Sequence, residues 1–374
     1  MVNDLPKTGK GKERRAKRKS LVSNHQPLSA DLSAEAVAKA ESTINHQPFF
    51  LDIDPETARD PTAPYAVLPL PYERTVTYGT GTAKGPAAIL RASHEIEDFD
   101  EELMVPMNLR VQTLQTPILE NLDDEHALAV IRDAANSVLR EDRFLLSLGG
   151  EHMVTYPLTA AAKSVFGKIS VLHIDAHLDL RDQYEETPLS HACVMRRVRD
   201  MGLSTTHVGI RSCSADEYAY AEKEHIPIFW AKDIHTALDG RWIKHIVEQL
   251  EGKTYVTVDI DSFDPSLVPG TGTPEPGGLT WYQITRLLRQ VFNERNVIAA
   301  DIVEVAPVPG SQVSEFVAAR LGAKMLMYHK HSLDIARSSI AATKGRDGSP
   351  SRPWRSQRER PTKEILSKKQ ETNG

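Results

Sequence analysis

Three polar residues at intervals of two follow a strand-like run near the middle of the chain. Asp175, His177 and Asp179 come directly after Ile169–Ile174 and are separated by single apolar residues. Because alternate side chains of an extended chain point to the same side, the three polar groups can converge on one point. Two carboxylates and an imidazole at one point are costly unless a cation neutralises them, so we expect a divalent metal ion there.

Two other segments deliver polar groups in the same way. Asp259 and Asp261 follow a run of Tyr, Val and Thr at a spacing of two, and His152 comes just past the turn at Gly149-Gly150. The carboxyl ends of parallel strands share one edge of a sheet, so these groups are expected beside the first three. We therefore predict six metal ligands: His152, Asp175, His177, Asp179, Asp259 and Asp261.

The charge of this ligand set suits two metal ions. Its four carboxylates balance two divalent cations and leave room for one bridging hydroxide. Carboxylates together with imidazoles suit Mn(II), while Fe, Co, Ni or Zn are alternatives. Paired metal ions lower the pKa of a bridging water and clamp an attacking oxygen, so hydrolysis is the expected reaction class.

Two further residues are candidates for the reaction itself. His191 lies on the segment that leaves Asp179, where an imidazole can act as acid, base or proton shuttle. Asp179 is a second candidate to take the proton of the bridging water. Glu304 follows the strand-like segment Asn296–Ile302, so its carboxylate is expected at the same edge. There it can pair with a planar cation such as a guanidinium.

The body of the chain supplies the elements that must position these residues. Short apolar runs predict strands, and helical patterns lie between them over roughly 270 residues. The predicted strands are Tyr65–Leu70, Phe144–Leu148, Ile169–Ile174, Thr206–Gly209, Pro227–Trp230, Tyr255–Asp259 and Asn296–Ile302. This alternation predicts one parallel α/β sheet with helices on both faces.

Composition limits the class of protein. The 374 residues are 40% hydrophobic and 26% charged, which is typical of globular proteins. Two cysteines cannot form a disulfide framework. No apolar run reaches the roughly 18 residues of a membrane helix, and the N-terminus lacks the apolar stretch of a secretory signal. We therefore expect a cytoplasmic protein without membrane contact.

The net charge of −6 combines two basic ends with an acidic middle. Residues 1–20 and residues 337–374 each carry a net charge of +6. We predict a flexible basic N-terminal arm over 1–48, a folded catalytic domain over 49–337 and a disordered basic C-terminal tail over 338–374. Docking of the arm on a neighbouring subunit and nucleic-acid contact by the ends are the less favoured alternatives.

Five linked motifs resemble, in order and spacing, those of the ureohydrolase family, which contains arginases and agmatinases. They are Gly149-Gly-Glu-His152, Asp175-Ala-His-Leu-Asp179, Ser190-His191, Asp259-Ile-Asp261 and Glu304-Val-Ala-Pro307. The similarity runs from about Val67 to Met327. It implies a three-layer α/β/α fold with an eight-stranded parallel sheet, two Mn(II) per subunit, and a homo-oligomer, either a trimer or a hexamer.

The resemblance also implies a role for each site residue. Two metal-binding sets follow from it, His152, Asp175, Asp179 and Asp259 for one ion and His177, Asp175, Asp259 and Asp261 for the other. Glu304 is implied to hold a guanidinium and His191 to shuttle protons. A metal-bridging hydroxide is implied to attack the guanidinium carbon, which yields urea and an amine.

Within this family the chain is most similar to agmatinases. It reads Gly209-Ile-Arg211-Ser212 where arginases usually carry an Asp for the α-amino group of arginine, and it lacks their Asn–Thr-rich loop. The acidic residues Asp182, Glu185 and Glu186 suit a second cationic end on the substrate, so Asp182 is predicted to bind substrate. We expect hydrolysis of agmatine to putrescine, a step of polyamine biosynthesis. Guanidinobutyrate, aminopropylagmatine, arginine and free guanidine, the last with nickel, are the alternatives.

Two positions depart from the commonest family pattern. Glu151 and Met153 stand where Asp and Ser are usual, which leaves substrate orientation more open than metal binding. A deacetylase on a similar fold is a second class, but its mononuclear zinc site needs fewer ligands. A non-catalytic metal-binding scaffold with nucleic-acid-binding ends is a third class. His191 and Glu304 favour an enzyme over that scaffold.

Overall fold

The computed structural model describes residues 47–237 and 239–344. Residues 1–46 of the expected arm and residues 345–374 of the expected tail therefore lie outside the described ranges. The last described helix runs to Lys344, beyond residue 338, where the sequence predicts the start of the tail. No helix within the described ranges is both long enough and apolar enough to cross a membrane.

The described ranges form short strands and helices in regular alternation. The strands are β1 (Tyr65–Leu70), β2 (Phe99–Asp100), β3 (Val105–Pro106), β4 (Val111–Thr113), β5 (Phe144–Gly149), β6 (Ile169–Ile174), β7 (Ser204–Ile210), β8 (Ile228–Trp230), β9 (Lys253–Asp259) and β10 (Asn296–Val303). The helices are α1 (Gly85–Ala92), α2 (Asp124–Leu139), α3 (Thr155–Phe166), α4 (Val194–Asp200), α5 (Ala215–Lys223), α6 (Ala231–Thr236), α7 (Arg241–Gln249), α8 (Trp281–Glu294) and α9 (Val313–Lys344).

Eight of the strands form one sheet in the order β4-β1-β5-β10-β9-β6-β7-β8. Every pair of neighbours in it is parallel, whereas β2 and β3 form a separate antiparallel hairpin. The central strands are buried except at the first residues of β9 and β10, because helices cover both faces, and they are accordingly rich in Val, Ile and Leu. The predicted parallel α/β sheet, with its eight strands, is confirmed.

Alternate side chains of each strand enter two separate cores. In β1, Tyr65 and Val67 pack in one core, while Ala66 and Leu68 pack in the other. Helices α1 and α6 to α9 supply the first core, and helices α2 to α5 supply the second. The result is the three-layer α/β/α arrangement that the sequence predicts.

The seven strands predicted from the sequence all form, with ends that differ by up to two residues. The eighth strand of the sheet, β4, was missed, as were the β2–β3 hairpin and helix α6. Four neighbouring central strands, β5, β10, β9 and β6, matter most for function because the predicted site residues follow them.

Candidate metal centre and its cavity

The carboxyl ends of the four central strands bring the predicted residues together. His152 begins a short 3-10 turn after β5, and Asp175 directly follows β6. Asp259 is the last residue of β9, and Glu304 directly follows β10. Each chain segment leaves the sheet at this edge, and the carboxyl ends of the strands are where parallel α/β sheets usually bind ligands.

His152 lies at the centre of the first group of ligands. Its Nδ1 is 3.1 Å from Oδ2 of Asp175, 3.2 Å from Oδ2 of Asp179 and 3.4 Å from Oδ2 of Asp259. All four residues are buried, and this Nδ1 has no hydrogen-bond partner among the described residues. Ligand atoms that bind one ion through bonds of about 2.1 Å at right angles lie about 3 Å from one another, which matches these distances.

His177 forms a second group beside the first. Its Nδ1 is 3.0 Å from Oδ2 of Asp261 and 3.5 Å from Oδ1 of Asp175. Asp175 thus turns one oxygen toward each histidine, which suits a carboxylate shared by two ions. Backbone N–H groups fix the neighbours, since Asp261 donates to Oδ1 of Asp259 at 2.8 Å and Ala176 donates to Oδ1 of Asp261 at 3.1 Å.

The protonation of this cluster is shifted by its own charges. Burial opposes the charged imidazole of His152, yet the surrounding carboxylates raise its pKa well above the usual value. The same balance raises the pKa of His177 to about 12. Burial, with the charges of Asp261 and Asp175, raises the pKa of Asp259. The carboxylates that favour a positive charge on these imidazoles also attract metal ions, so the donor set fits two divalent cations.

A second layer of hydrogen bonds orients the ligands. Nε2 of His152 is 2.9 Å from Oγ1 of Thr257, which donates to the buried Asp301 at 2.5 Å. On the other side, Nε2 of His173 is 2.7 Å from Oδ2 of Asp175. The ring of His173 also contacts His207, and their two Nδ1 atoms are 2.9 Å apart. Such partners fix the rings of metal-binding histidines and the carboxylates beside them.

Sequence reasoning missed the roles of His173 and Asp301. His173 carries a usable signal, since it extends the spacing of two that links Asp175, His177 and Asp179. Asp301 carries none, because its partners Thr155, Tyr255 and Thr257 come from distant segments.

Two of the acidic site residues have unusual backbone angles. Asp179 has φ of 53° and Glu304 has φ of 64°, a region that residues other than glycine seldom adopt. The Glu304 backbone is held there because its N–H donates to the carbonyl of Gly150 at 2.7 Å. Oε1 of Glu304 also accepts the backbone N–H of His152 at 2.6 Å. Burial and the charge of Glu151 raise the pKa of Glu304 well above its usual range. Strain of this kind tends to persist at functional sites.

A cavity of about 200 Å³ opens onto the ligands. Its lining residues are Thr77, His177, Asp179, Arg181, Tyr184, His191, Ala192, Ser212, Cys213, Ser214, Glu217, Asp259, Thr273 and Glu304. The two candidates for the reaction, His191 and Glu304, thus face the same space as three of the predicted ligands. Burial lowers the pKa of His191, so its imidazole is neutral near pH 7.

Asp182 is not among the residues that line this cavity. Its carboxylate is mostly exposed and accepts a hydrogen bond from Arg197 at 2.9 Å. A guanidinium nitrogen of Arg196 lies 3.7 Å from the same oxygen. The cavity wall instead contains Glu217 and Arg181, whose Oε2 and Nε atoms are 3.5 Å apart. A role for Asp182 in substrate binding stays a prediction.

A glycine-rich loop supports the segment that carries Glu304. The N–H of Gly79 donates to the carbonyl of Gly272 at 3.0 Å. A Cβ at Gly85 would lie 2.3 Å from the carbonyl oxygen of Val305, so only glycine permits this approach. The start of helix α1 therefore packs directly against the backbone next to Glu304.

Comparisons with known proteins identify the family of this chain. The arginase family model matches residues 63–328. An N(1)-aminopropylagmatine ureohydrolase of Synechocystis sp. is 37% identical over 275 residues, 71% of this chain and 89% of that protein. An agmatinase of Bacillus cereus is 34% identical over 64% of this chain and 82% of that protein. A crystal structure of a hypothetical agmatinase from Burkholderia thailandensis superposes with a TM-score of 0.64 at 28% identity, over 73% of this chain and 87% of that chain. The chain belongs to the arginase family.

Proposed function

We propose that this protein hydrolyses the guanidino group of agmatine to urea and putrescine, with two Mn(II) per subunit. The observation that carries the proposal is one cavity lined by three of the predicted ligands and by Glu304 and His191. We further propose that it works in the cytoplasm as a homo-oligomer, a trimer or a hexamer. Light scattering of the purified protein tests the subunit count.

The reaction joins a water oxygen to the guanidinium carbon and breaks the bond from that carbon to the alkyl nitrogen. When bound at the six ligands, two divalent ions supply charge neutralisation and an activated water. Glu304 accepts hydrogen bonds from the planar guanidinium and fixes its plane. Asp179 is placed to take a proton from the water. The neutral His191 is placed to accept a proton at its free ring nitrogen and to pass it to the leaving amine.

N1-aminopropylagmatine is the second candidate substrate. The observation that favours it is the name of the Synechocystis relative and of a relative from Thermus thermophilus, the latter 38% identical over 267 residues. Both candidates pair a guanidinium with an amine, so the site chemistry is the same and only the length of the far end differs.

The proposal predicts a ranking of substrates. Urea release by the Mn(II)-loaded protein is measured with agmatine, N1-aminopropylagmatine, guanidinobutyrate, arginine and guanidine. We expect kcat/KM for agmatine to exceed that for arginine and guanidinobutyrate by about 100-fold or more, since a site matched to an amine disfavours a carboxylate. Higher kcat/KM for N1-aminopropylagmatine moves the assignment to the second candidate. Equal rates for arginine and agmatine contradict both.

A further inference from the structure

Thr75 connects two side chains that are far apart in the sequence. Its hydroxyl oxygen lies 3.2 Å from Nδ1 of His191 and 2.9 Å from Oε1 of Glu151. The backbone N–H of His191 donates to the same oxygen at 3.0 Å. Because Nδ1 is turned toward Thr75, Nε2 is the ring nitrogen left for the cavity that His191 lines.

Glu151 fixes Thr75 from the other side and is fully buried. Its Oε2 accepts the backbone N–H groups of Arg74 and Thr75, both at 2.7 Å. An ionised carboxylate only accepts hydrogen bonds, so Oε1 of Glu151 accepts the proton of the Thr75 hydroxyl. The Thr75 oxygen then acts only as an acceptor toward His191. This arrangement puts the ring proton on Nδ1 and leaves the lone pair of the neutral ring on Nε2.

We propose that Thr75, fixed by Glu151, is a positioning residue that orients His191 with Nε2 toward the reacting groups. The inference rests on the proposed function, in which His191 moves a proton during hydrolysis. A ring that rotates freely is seldom oriented for proton transfer. Loss of the contact with Thr75 should therefore affect the chemical step more than substrate binding. Glu151, which departs from the usual family residue, thereby acquires a role through Thr75.

The first test removes the hydroxyl and keeps the shape of the side chain. Thr75→Val is expected to lower kcat for urea release about 10- to 100-fold and to change KM by less than about threefold. Thr75→Ser is expected to restore most of kcat. In a His191→Gln background, Thr75→Val is expected to have no further effect, because Thr75 acts through the ring.

The matched control is Thr82→Val on the neighbouring loop. Thr82 is buried and its hydroxyl has no partner among the described residues, so kcat is expected to stay unchanged. An unchanged kcat in Thr75→Val, or an additional tenfold loss in the His191→Gln background, overturns the proposal.

The second test does not depend on activity. The 15N signals of labelled histidines are recorded well above pH 7, and those of His191 are identified by their loss in His191→Gln. We expect the proton on Nδ1 in the wild type. Glu151→Gln turns an amide N–H toward Thr75, which reverses the hydrogen bonds and moves the ring proton to Nε2.

The two tests separate the possible failures. If no guanidino compound releases urea while the ring shows the expected Nδ1 proton and its reversal in Glu151→Gln, the proposed function fails and the positioning of His191 stands. If the protein is active but the His191 signals are the same in wild type, Thr75→Val and Glu151→Gln, the positioning is overturned and the proposed function stands.

Discussion

Glu304 is a buried carboxylate on the cavity wall that is not one of the six predicted metal ligands. Its Oε1 accepts the backbone N–H of His152, and a Cβ at Gly272 would lie 3.8 Å from its Oε2. The carboxylate is therefore held through Oε1, and Glu304 lines the cavity. A planar cation that enters the cavity meets a fixed acceptor there.

Replacing Glu304 by Gln tests this contact at the residue scale. A hydrogen bond to a charged partner contributes about 1.5–3 kcal/mol, so kcat/KM for agmatine should fall roughly 10- to 100-fold. We expect two metal ions per chain to remain, because the ligands are untouched. Steady-state kinetics and metal analysis measure the two effects.

The exposed Glu251 provides the control for this substitution. Glu251→Gln should leave kcat/KM and metal content unchanged. Full activity of Glu304→Gln would show that the guanidinium is bound elsewhere, whereas loss of metal from it would place Glu304 among the ligands.

Single residues differ in how far the sequence reveals them. The carboxylates at spacings of two were found because one extended segment places them together. The contact between Thr75 and His191 joins residues 116 positions apart, so no local pattern indicates it. The acidic neighbourhood of Asp182 was visible in the sequence, whereas its ion pair with Arg197 on the next helix was not.

At the scale of elements, length and polarity decide what the sequence reveals. The long apolar strands of the sheet were predicted because they are buried on both faces. Strand β4 has three residues, of which Gln112 and Thr113 are polar, and among the described strands it pairs with β1 alone, at the edge of the sheet. Its existence depends on a neighbour supplied by the fold, so its own residues carry little signal.

Helix α9 packs an ionisable ring against the sheet. His329 contacts Phe144, with 4.4 Å between the ring centroids, and also lies beside Tyr65 and Phe292. Burial lowers the pKa of His329 to about 4. The unfolded chain, with a histidine pKa of about 6.5, therefore binds the proton more readily than the folded chain.

This shift predicts how stability depends on pH. As pH falls from about 6.5 to about 4, His329 should lower the free energy of unfolding by up to about 3 kcal/mol. His329→Phe retains an aromatic ring without the titration, so its free energy of unfolding should fall less steeply over that window. Guanidinium chloride unfolding of the metal-free protein at several pH values measures the difference.

His245, exposed on helix α7, is the matched control, and His245→Phe should leave the slope unchanged. Parallel pH curves for wild type and His329→Phe would contradict the assigned shift.

At the scale of the whole molecule, the sequence indicated the layers but not the strand order. Alternating strands and helices require a parallel sheet with helices on both faces. The order β4-β1-β5-β10-β9-β6-β7-β8 depends on which crossovers the chain makes, and composition does not specify them. The resemblance to the arginase family, carried by five linked motifs, implied the eight strands and the two metal-binding sets, which spacing alone left open.

The central claim is that this protein hydrolyses a guanidino group at a cluster of metal ligands that lie at the ends of three strands. The most direct measurement uses agmatine labelled with 13C at that carbon and metal-depleted protein, with and without Mn(II). NMR follows the label, and an amine assay follows putrescine. The same measurement is made on Asp175→Asn, which removes the carboxylate that faces both His152 and His177.

We predict that Mn(II) restores turnover, that the label appears in urea and that urea and putrescine form in equal amounts. Asp175→Asn should lose at least about 1,000-fold in kcat, because both metal sites lose a ligand. Label in a carbamoyl product with release of ammonia, or equal turnover without metal ions, would contradict the account.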